Sequence, residues 1–213
     1  MQKRKQSNQR EEIAHAVKAL CDGGVIAFPT ETIYGLGCDP RNAKAVRRIF
    51  RLKARDPKKP LLLVASSIAH VRRIATLRGK ALRLARQYWP GPLTLVLPVK
   101  ESNPLVRGIA LQGTVAVRIS SSSLVQELTK KFGFPLVATS ANRSGATESR
   151  SLDDVKRNFD DKLDAMIDGG ILPLRKASTM LRVREDGSCE LIREGAVRVS
   201  KKILSSSLKT LRL

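Results

Sequence analysis

The chain has 213 residues, 42% of them hydrophobic, which is enough to build the packed core of one ordinary domain. Lysine and arginine outnumber aspartate and glutamate by 40 to 19, giving a formal net charge of +21. This balance favours polyanionic partners, although a merely solvated basic surface would give the same total. No apolar run reaches 18 residues, and no apolar stretch follows the basic start, so the sequence predicts neither a membrane span nor a secretory signal.

Cysteine and histidine are too sparse for a disulfide framework or a zinc site. Cys21, Cys38 and Cys189 lie far apart and form no C-x-x-C pair. His15 and His70 fall in helix-like stretches, where structural or surface roles are the simplest interpretation. A reducing, cytoplasmic location fits these features best.

Short apolar runs bounded by turn residues predict five buried strands. They lie at 24–28, 61–65, 93–97, 115–119 and 135–139. Amphipathic helical patterns alternate with them, at 13–20, 42–50, 68–75, 82–88, 124–132 and 152–159. Two late runs, at 180–184 and 189–193, flank Asp186-Gly187, which is a hairpin turn signal.

This alternation of strands and helices predicts one α/β domain with a mixed sheet flanked by helices. The expected division is a basic, disordered tail over 1–8, the domain over 9–199, and a basic, serine-rich tail over 200–213. The sequence shows no internal repeat and no interdomain linker.

Polar residues follow the first predicted strand at 29–37, where the sequence reads P-T-E-T-I-Y-G-L-G. Ligands of open α/β sheets bind beyond the carboxyl ends of strands, so these hydroxyls and exposed amides can hold a small polar substrate. The segment matches neither a P-loop nor a dinucleotide-binding G-x-G-x-x-G. Taken alone, it is equally well explained as a plain turn.

The segment 41–59 is the most basic part of the chain, with nine cations and one acid, Asp56. Most of these cations are expected on a solvated helix face. Lys53 and Arg55 fall just past the helix, where they can converge on phosphate oxygens, since arginine gives bidentate contacts and lysine a point charge.

Two further segments combine strand patterns with polar groups. Arg118 interrupts the apolar run 115–119, so it either faces solvent or is aimed at an anionic ligand, because burying an unpaired charge is costly. The segment 138–145 places small hydroxyl and amide side chains before a glycine, which suits close approach of the backbone to a nucleotide.

Taken together and in order, these motifs resemble the YrdC-like, threonylcarbamoyl-AMP synthase family. The resemblance covers residues 10 to 200 and corresponds to the short bacterial-type form, without the extra carboxyl-terminal domain of longer members. It rests on P-T-E-T-I-Y-G-L-G at 29–37, K-x-R at 53–55, W-P-G-P-L-T-L-V at 89–96, V-A-V-R at 115–118, S-A-N at 140–142, I-D-G-G at 167–170, A-S-T at 177–179 and I-R-E-G at 192–195.

The resemblance implies a twisted sheet around a basic cavity that takes ATP and threonine. The positions matching threonine contacts are Thr32, Arg118, Ser178 and, through its backbone, Ala138. The positions matching the ATP side are Lys53, Arg55, Lys59, Thr114, Ser140, Asn142 and Arg193. Within this set the K-x-R and S-x-N pairs are the family signature, which makes Lys53, Arg55, Ser140 and Asn142 the expected catalytic residues.

The implied reaction joins L-threonine, bicarbonate or CO₂, and ATP to give threonylcarbamoyl-AMP and pyrophosphate, for threonylcarbamoyladenosine modification of tRNA. ATP is then a substrate, and Mg²⁺ accompanies its phosphates without a dedicated protein site. The chain departs from the family pattern at Asp56, which separates the K-x-R pair from Pro57, and at Val64, where many long members have histidine. The expected acid before Ser178 is also displaced by Lys176-Ala177.

Two rival interpretations stay open at this point. One is a double-stranded RNA or tRNA-binding protein without catalysis, which the basic surface motivates. The other is a paralogue that kept the pocket and lost the activity, against which the retained K-x-R and S-x-N pairs argue. The expected partners are tRNA or double-stranded RNA and a downstream threonylcarbamoyl transferase complex.

Overall fold

The computed structural model describes the backbone of residues 2–200 and the side chains of residues 8–200 except that of position 160. Its helices are α1 Gln2–Cys21, α2 Ala43–Lys53, α3 Ile68–Arg72, α4 Gly79–Tyr88, α5 Ser123–Phe132 and α6 Leu152–Phe159, followed by a 3-10 turn at Asp160–Lys162. Its strands are β1 Ile26–Pro29, β2 Tyr34–Gly37, β3 Leu62–Ala65, β4 Leu93–Pro98, β5 Thr114–Ile119, β6 Leu136–Ser140, β7 Ala165–Met166, β8 Thr179–Val183 and β9 Cys189–Arg193.

All of these strands join one mixed sheet in the order β7-β1-β2-β6-β3-β5-β4-β8-β9. The pairs β1/β7, β3/β5 and β4/β8 are parallel, and the other neighbours are antiparallel. The predicted single α/β domain with a mixed sheet is therefore confirmed. No helix within residues 2–200 is both long and apolar enough to cross a membrane.

Alternating side chains of the central strands serve two cores on opposite faces of the sheet. Leu63 packs in the larger core, which includes residues of α2, α3 and α4. Its neighbour Val64 packs in a second core with residues of α1 and α5. Those two helices cover only part of their face, and the rest of it is left for the cavity described below.

Helix α2 begins as the sequence predicts. The Asn42 side chain accepts hydrogen bonds from the backbone N–H groups of Lys44 and Ala45, at 2.9 and 3.1 Å, and so caps the helix. Val46 and Ile49 are buried on its inner side. The cap and the apolar stripe together fix where α2 starts and which side faces the core.

Strand β2 lies inside the segment 29–37, which the sequence alone could not distinguish from a plain turn. It pairs with β1 as a hairpin and with β6 on its other side. A Cβ atom at Gly37 would lie 2.6 Å from the Phe28 ring and 2.8 Å from the Val137 carbonyl oxygen. Glycine is present because the backbones approach closely here. Since glycine is also typical of turns, the sequence of this strand resembles that of a loop.

The chain termini differ from the expected division in one respect. Helix α1 begins at Gln2, so the segment predicted as a disordered tail continues the helix backbone. The segment holds no proline or glycine and is rich in lysine, arginine and glutamine, which are good helix formers. Apart from Ser200, the predicted tail 200–213 lies outside the described residues.

Candidate active site

A cavity of about 430 Å³ lies on the sheet face that α1 and α5 leave open. Side chains on one face of β3, β5, β4 and β8 form its floor, and the 30–35 segment and the end of β6 form one side. Eight of the predicted site residues line it, namely Thr32, Arg55, Thr114, Arg118, Ala138, Ser140, Ser178 and Arg193. The structure therefore brings together segments that are distant in the sequence.

The turn between β1 and β2 is fixed by a threonine that is not itself a predicted contact. Thr30 Oγ1 donates to the Ile33 carbonyl at 2.7 Å and accepts from the Thr32 amide at 3.2 Å. The Thr30 and Thr32 hydroxyls also lie 3.1 Å apart. Because the turn is held internally, Thr32 lines the cavity from a fixed position.

Arg118 is buried, so of the two interpretations the solvent-facing one is wrong. Its Nη1 forms an ion pair with Glu31 Oε1, and the Ser120 hydroxyl donates to Glu31 Oε2. Burial lowers the pKa of Arg118 from its usual value, and the neighbouring Glu31 opposes this shift. Arg118 still lines the cavity, where it offers a guanidinium to an anion.

Lys53 is the last residue of α2, rather than part of the following loop, and it is almost fully buried. Its ammonium group donates to the Ser140 carbonyl and to the Asn142 carbonyl, the latter at 2.6 Å. Ser140 Oγ in turn donates to Asn142 Oδ1 at 2.6 Å. Lys53 and Asn142 thus lie behind the cavity wall, where they organise Ser140, which lines it.

Arg55 reaches the cavity while Lys59 does not. Arg55 donates to two backbone carbonyls, Lys59 O at 3.2 Å and Pro60 O at 2.9 Å, which fix its guanidinium at the edge of the cavity. The Lys59 residue is exposed and absent from the cavity lining. Its visible contribution is the carbonyl that supports Arg55, so the predicted ATP contact through Lys59 stays a prediction.

Arg193 and Ser178 form the opposite side of the cavity. Arg193 Nη2 donates to the Ser178 carbonyl at 2.9 Å and to Ser178 Oγ at 3.1 Å. The Ser178 hydroxyl also lies 2.9 Å from Thr94 Oγ1. These contacts join a residue of the predicted ATP side to a residue of the predicted threonine side.

Three charged residues at or near the cavity are not among the site residues predicted from the sequence, although one of them, Glu31, lies within the 29–37 motif. Glu31, which pairs with Arg118, is the one acid between positions 26 and 38. This isolation is the feature of the sequence that could have marked Glu31 as a site residue. Arg182 lines the cavity because it alternates with buried neighbours along β8. Glu148 is an exposed acid at the same cavity and gave no signal in the sequence. Val64, a departure from the family pattern, packs in the core.

A metal site is not evident within the described residues, which contain no group of three or more histidine, cysteine, aspartate or glutamate side chains placed to hold an ion. Glu148 is the one acid among the residues that line the cavity. The arrangement is instead rich in cationic and hydroxyl groups. Such a set binds and orients anions, and it offers no hydrogen-bonded nucleophile and base of the serine–histidine type.

The buried position of Lys53 gives a pH prediction. Its pKa is lowered to about 8, first by burial and then by the Arg55 charge, with Glu148 opposing the shift. Above that pH the ligand-free protein loses a positive charge beneath Ser140. We expect the affinity for ATP, the ligand predicted from the sequence, to fall as the pH rises through about 8, measured by titration calorimetry without an amino acid. Constant affinity between about pH 7 and 9.5 would contradict this role of the Lys53 charge.

Fold and cavity together define an α/β protein with a cavity rich in cationic and hydroxyl groups over a mixed sheet. A family model described as "Telomere recombination", covering Sua5, YciO and YrdC, matches residues 18–195. The chain belongs to this Sua5/YciO/YrdC family.

Curated relatives support the assignment over most of their length. The chain is 39% identical to the threonylcarbamoyl-AMP synthase of Marinobacter nauticus over 175 residues, which covers 81% of this chain and 91% of that protein. It is 40% identical to the threonylcarbamoyl-AMP synthase of Halorhodospira halophila over 159 residues, which covers 74% of this chain and 82% of that protein.

Solved structures share the fold. P. abyssi Sua5 complexed with L-threonine is 35% identical, with a TM-score of 0.78 over 86% of this chain. The match spans 54% of that longer protein. E. coli YciO is 27% identical, with a TM-score of 0.79 over 92% of this chain and 93% of that chain.

Proposed function

We propose that the protein makes threonylcarbamoyl-AMP and pyrophosphate from L-threonine, bicarbonate or CO₂, and ATP. The observation that carries the proposal is one cavity in which Arg55, Ser140 and Arg193 adjoin Thr32, Arg118 and Ser178. The relatives named threonylcarbamoyl-AMP synthase support the same activity. The cavity therefore has to hold an amino acid beside a nucleotide.

Threonine is proposed to bind around Arg118, whose guanidinium meets the substrate carboxylate. Thr32 and Ser178 then provide hydroxyls on either side, and Ala138 contributes its backbone. This placement leaves the amine of threonine toward the remaining cavity space. Each of these residues lines the cavity, and Arg118 is the one nearly fully buried cation among the lining residues.

ATP is proposed to bind on the side of Arg55 and Ser140, with Thr114 and Arg193 at the remaining edges. Lys53 and Asn142 support Ser140 from behind, through the hydrogen bonds described above. Lys59, whose side chain is exposed in this structure, would have to turn toward the nucleotide to join them. Magnesium ions held by the triphosphate itself would share the work of neutralising its charge.

The chemistry requires two bond-forming steps. The threonine amine adds to CO₂ and loses a proton, giving a carbamate. A carbamate oxygen then attacks the α-phosphorus. The bond between this phosphorus and the oxygen that bridges to the β-phosphate breaks, and pyrophosphate leaves. Several anionic groups meet in these steps, so the cations of the cavity act by neutralisation and in-line positioning. Arg193, in contact with Ser178, stands where the two substrates meet.

The test is the substrate dependence of pyrophosphate release. We expect release to require L-threonine and bicarbonate together, because neither substrate alone supplies the attacking carbamate. Parallel reactions without amino acid, without bicarbonate and with L-serine serve as controls. Equal release with serine, or with no amino acid, would contradict the assigned specificity.

The basic surface supports a second proposal, contact with tRNA or double-stranded RNA, in a cytoplasmic pathway that passes the product to a threonylcarbamoyl transferase complex.

Replacing Lys3, Arg4 and Lys5 by alanine should weaken RNA binding modestly and reduce the slope of log affinity against log salt by about one for each phosphate that is no longer neutralised. Adenylate synthesis should not change. A large loss of synthesis would contradict the separation of RNA binding from the cavity.

A further inference from the structure

A buried acid lies directly behind the arginine of the cavity. Arg118 Nη1 donates to Glu31 Oε1, and Ser120 Oγ donates to the other carboxylate oxygen, Oε2. The side chains of Arg118 and Glu31 are 6% and 8% exposed, and Ser120 is fully buried. Both oxygens of Glu31 are therefore occupied, and its carboxylate is held in one orientation.

Glu31 leaves one edge of the Arg118 guanidinium without a partner. Arg118 Nε is buried with no hydrogen bond, and it is the one buried side-chain nitrogen or oxygen within the described residues for which this holds. No described group accepts from Nη2 either, since Arg118 donates only from Nη1. A buried donor without an acceptor is costly. The free Nε–Nη2 edge has the geometry that a carboxylate binds with two parallel hydrogen bonds.

The two members of the pair differ in their relation to the cavity. Arg118 lines it, whereas Glu31 is not part of its lining. Glu31 instead lines a neighbouring, more open pocket together with Thr32, Arg175 and Lys176. Glu31 therefore contacts Arg118 from outside the cavity lining, and it neighbours Thr32 in a turn that Thr30 holds.

We propose that Glu31, held by Ser120, is a positioning residue that turns the free edge of Arg118 toward the carboxylate of threonine. This inference rests on the proposed function. Glu31 compensates the buried charge of Arg118 before substrate arrives, and it takes only the nitrogen that the substrate does not need. The same turn carries Thr32, so one segment sets two contacts to the amino acid.

A competing role for Glu31 predicts the opposite change in threonine affinity when Glu31 is removed. If Glu31 occupied the place of the substrate carboxylate, removing it would free Arg118 and tighten threonine binding. If Glu31 positions Arg118, removing it lets the guanidinium turn away and weakens threonine binding. The direction of the change therefore decides between the two roles.

The experiment compares Glu31→Ala, Glu31→Gln and Ser120→Ala with the parent protein. Threonine and ATP binding are measured by calorimetry, and KM and kcat by pyrophosphate release. Glu127→Ala is the matched control, because it removes an acid that pairs with Lys131 on the exposed surface of α5. Thermal melts establish that each variant is folded, and Ser120→Ala serves as the milder variant if Glu31→Ala does not fold.

We expect Glu31→Ala to weaken threonine binding about tenfold or more, with ATP affinity changed by less than about twofold. Glu31→Gln should recover part of the loss, since its amide oxygen still accepts from Nη1. Unchanged or tighter threonine binding in folded Glu31→Ala or Ser120→Ala would overturn the inference, as would an equal loss for ATP. If the parent protein is active and the variants give one of these results, only the inference about Glu31 is contradicted and the proposed function stands. If the parent protein binds no threonine, both the inference and the proposed function are contradicted.

Discussion

Arg118→Ala is expected to reduce kcat/KM for threonine by about 30- to 1,000-fold, while ATP affinity stays near that of the parent. The interaction that this substitution removes is charge-assisted and nearly desolvated, and such an interaction contributes about 2–4 kcal/mol. The effect should appear mainly in threonine KM, because the carboxylate is bound alike in the ground state and the transition state. Calorimetric titration of threonine measures it directly.

Folding has to be separated from binding in this variant. Arg118→Ala leaves the Glu31 carboxylate buried without its partner, and an orphaned buried charge costs about 3–5 kcal/mol of stability. The double variant Arg118→Ala/Glu31→Ala removes that charge and should regain thermal stability without regaining threonine affinity. Threonine affinity within about twofold of the parent in either variant would remove Arg118 from the site.

Arg55→Ala is expected to produce a loss of similar size, about 30- to 1,000-fold in kcat/KM, on the ATP side. Arg55 is held at the cavity edge by the Lys59 and Pro60 carbonyls, so its charge is already oriented before ATP binds. Preorganisation of this kind acts on phosphate binding and on charge developing during transfer. The comparison of KM with kcat for ATP divides the loss between the two.

Lys58→Ala is the matched control for Arg55. It removes one exposed positive charge from the same loop, outside the cavity lining. We expect at most a small, salt-sensitive change for Lys58→Ala and little effect of either substitution on threonine binding. Equal losses in both variants would mean that Arg55 acts through the general basic field rather than through a specific phosphate contact.

Much of the fold could be predicted because its signals are local. The apolar runs that form β3, β4, β5 and β6 are buried strands bounded by turn residues, and α2 carries its own cap at Asn42. Strand β2 was ambiguous, since its glycines serve close packing against Phe28 and Val137 and also mimic a loop. The two-residue strand β7 is too short to produce any periodicity.

Most residues of the candidate site could be predicted from the sequence, but the contacts between them could not. Ordered motifs identified most of the polar side chains that line the cavity. They could not show that Lys53 turns inward onto the Ser140 and Asn142 carbonyls, because these hydrogen bonds join residues 87 and 89 positions apart. The ion pair between Glu31 and Arg118 could not be predicted either, because these two residues are also 87 positions apart along the chain.

The proposed activity is tested most directly by mass spectrometry of the product formed from ATP, L-threonine and ¹³C-bicarbonate. We predict threonylcarbamoyl-AMP carrying a single heavy carbon, formed together with pyrophosphate, and its absence when threonine or bicarbonate is omitted. Pyrophosphate release without such an adduct, or an adenylate of threonine that lacks the heavy carbon, would contradict the proposed activity.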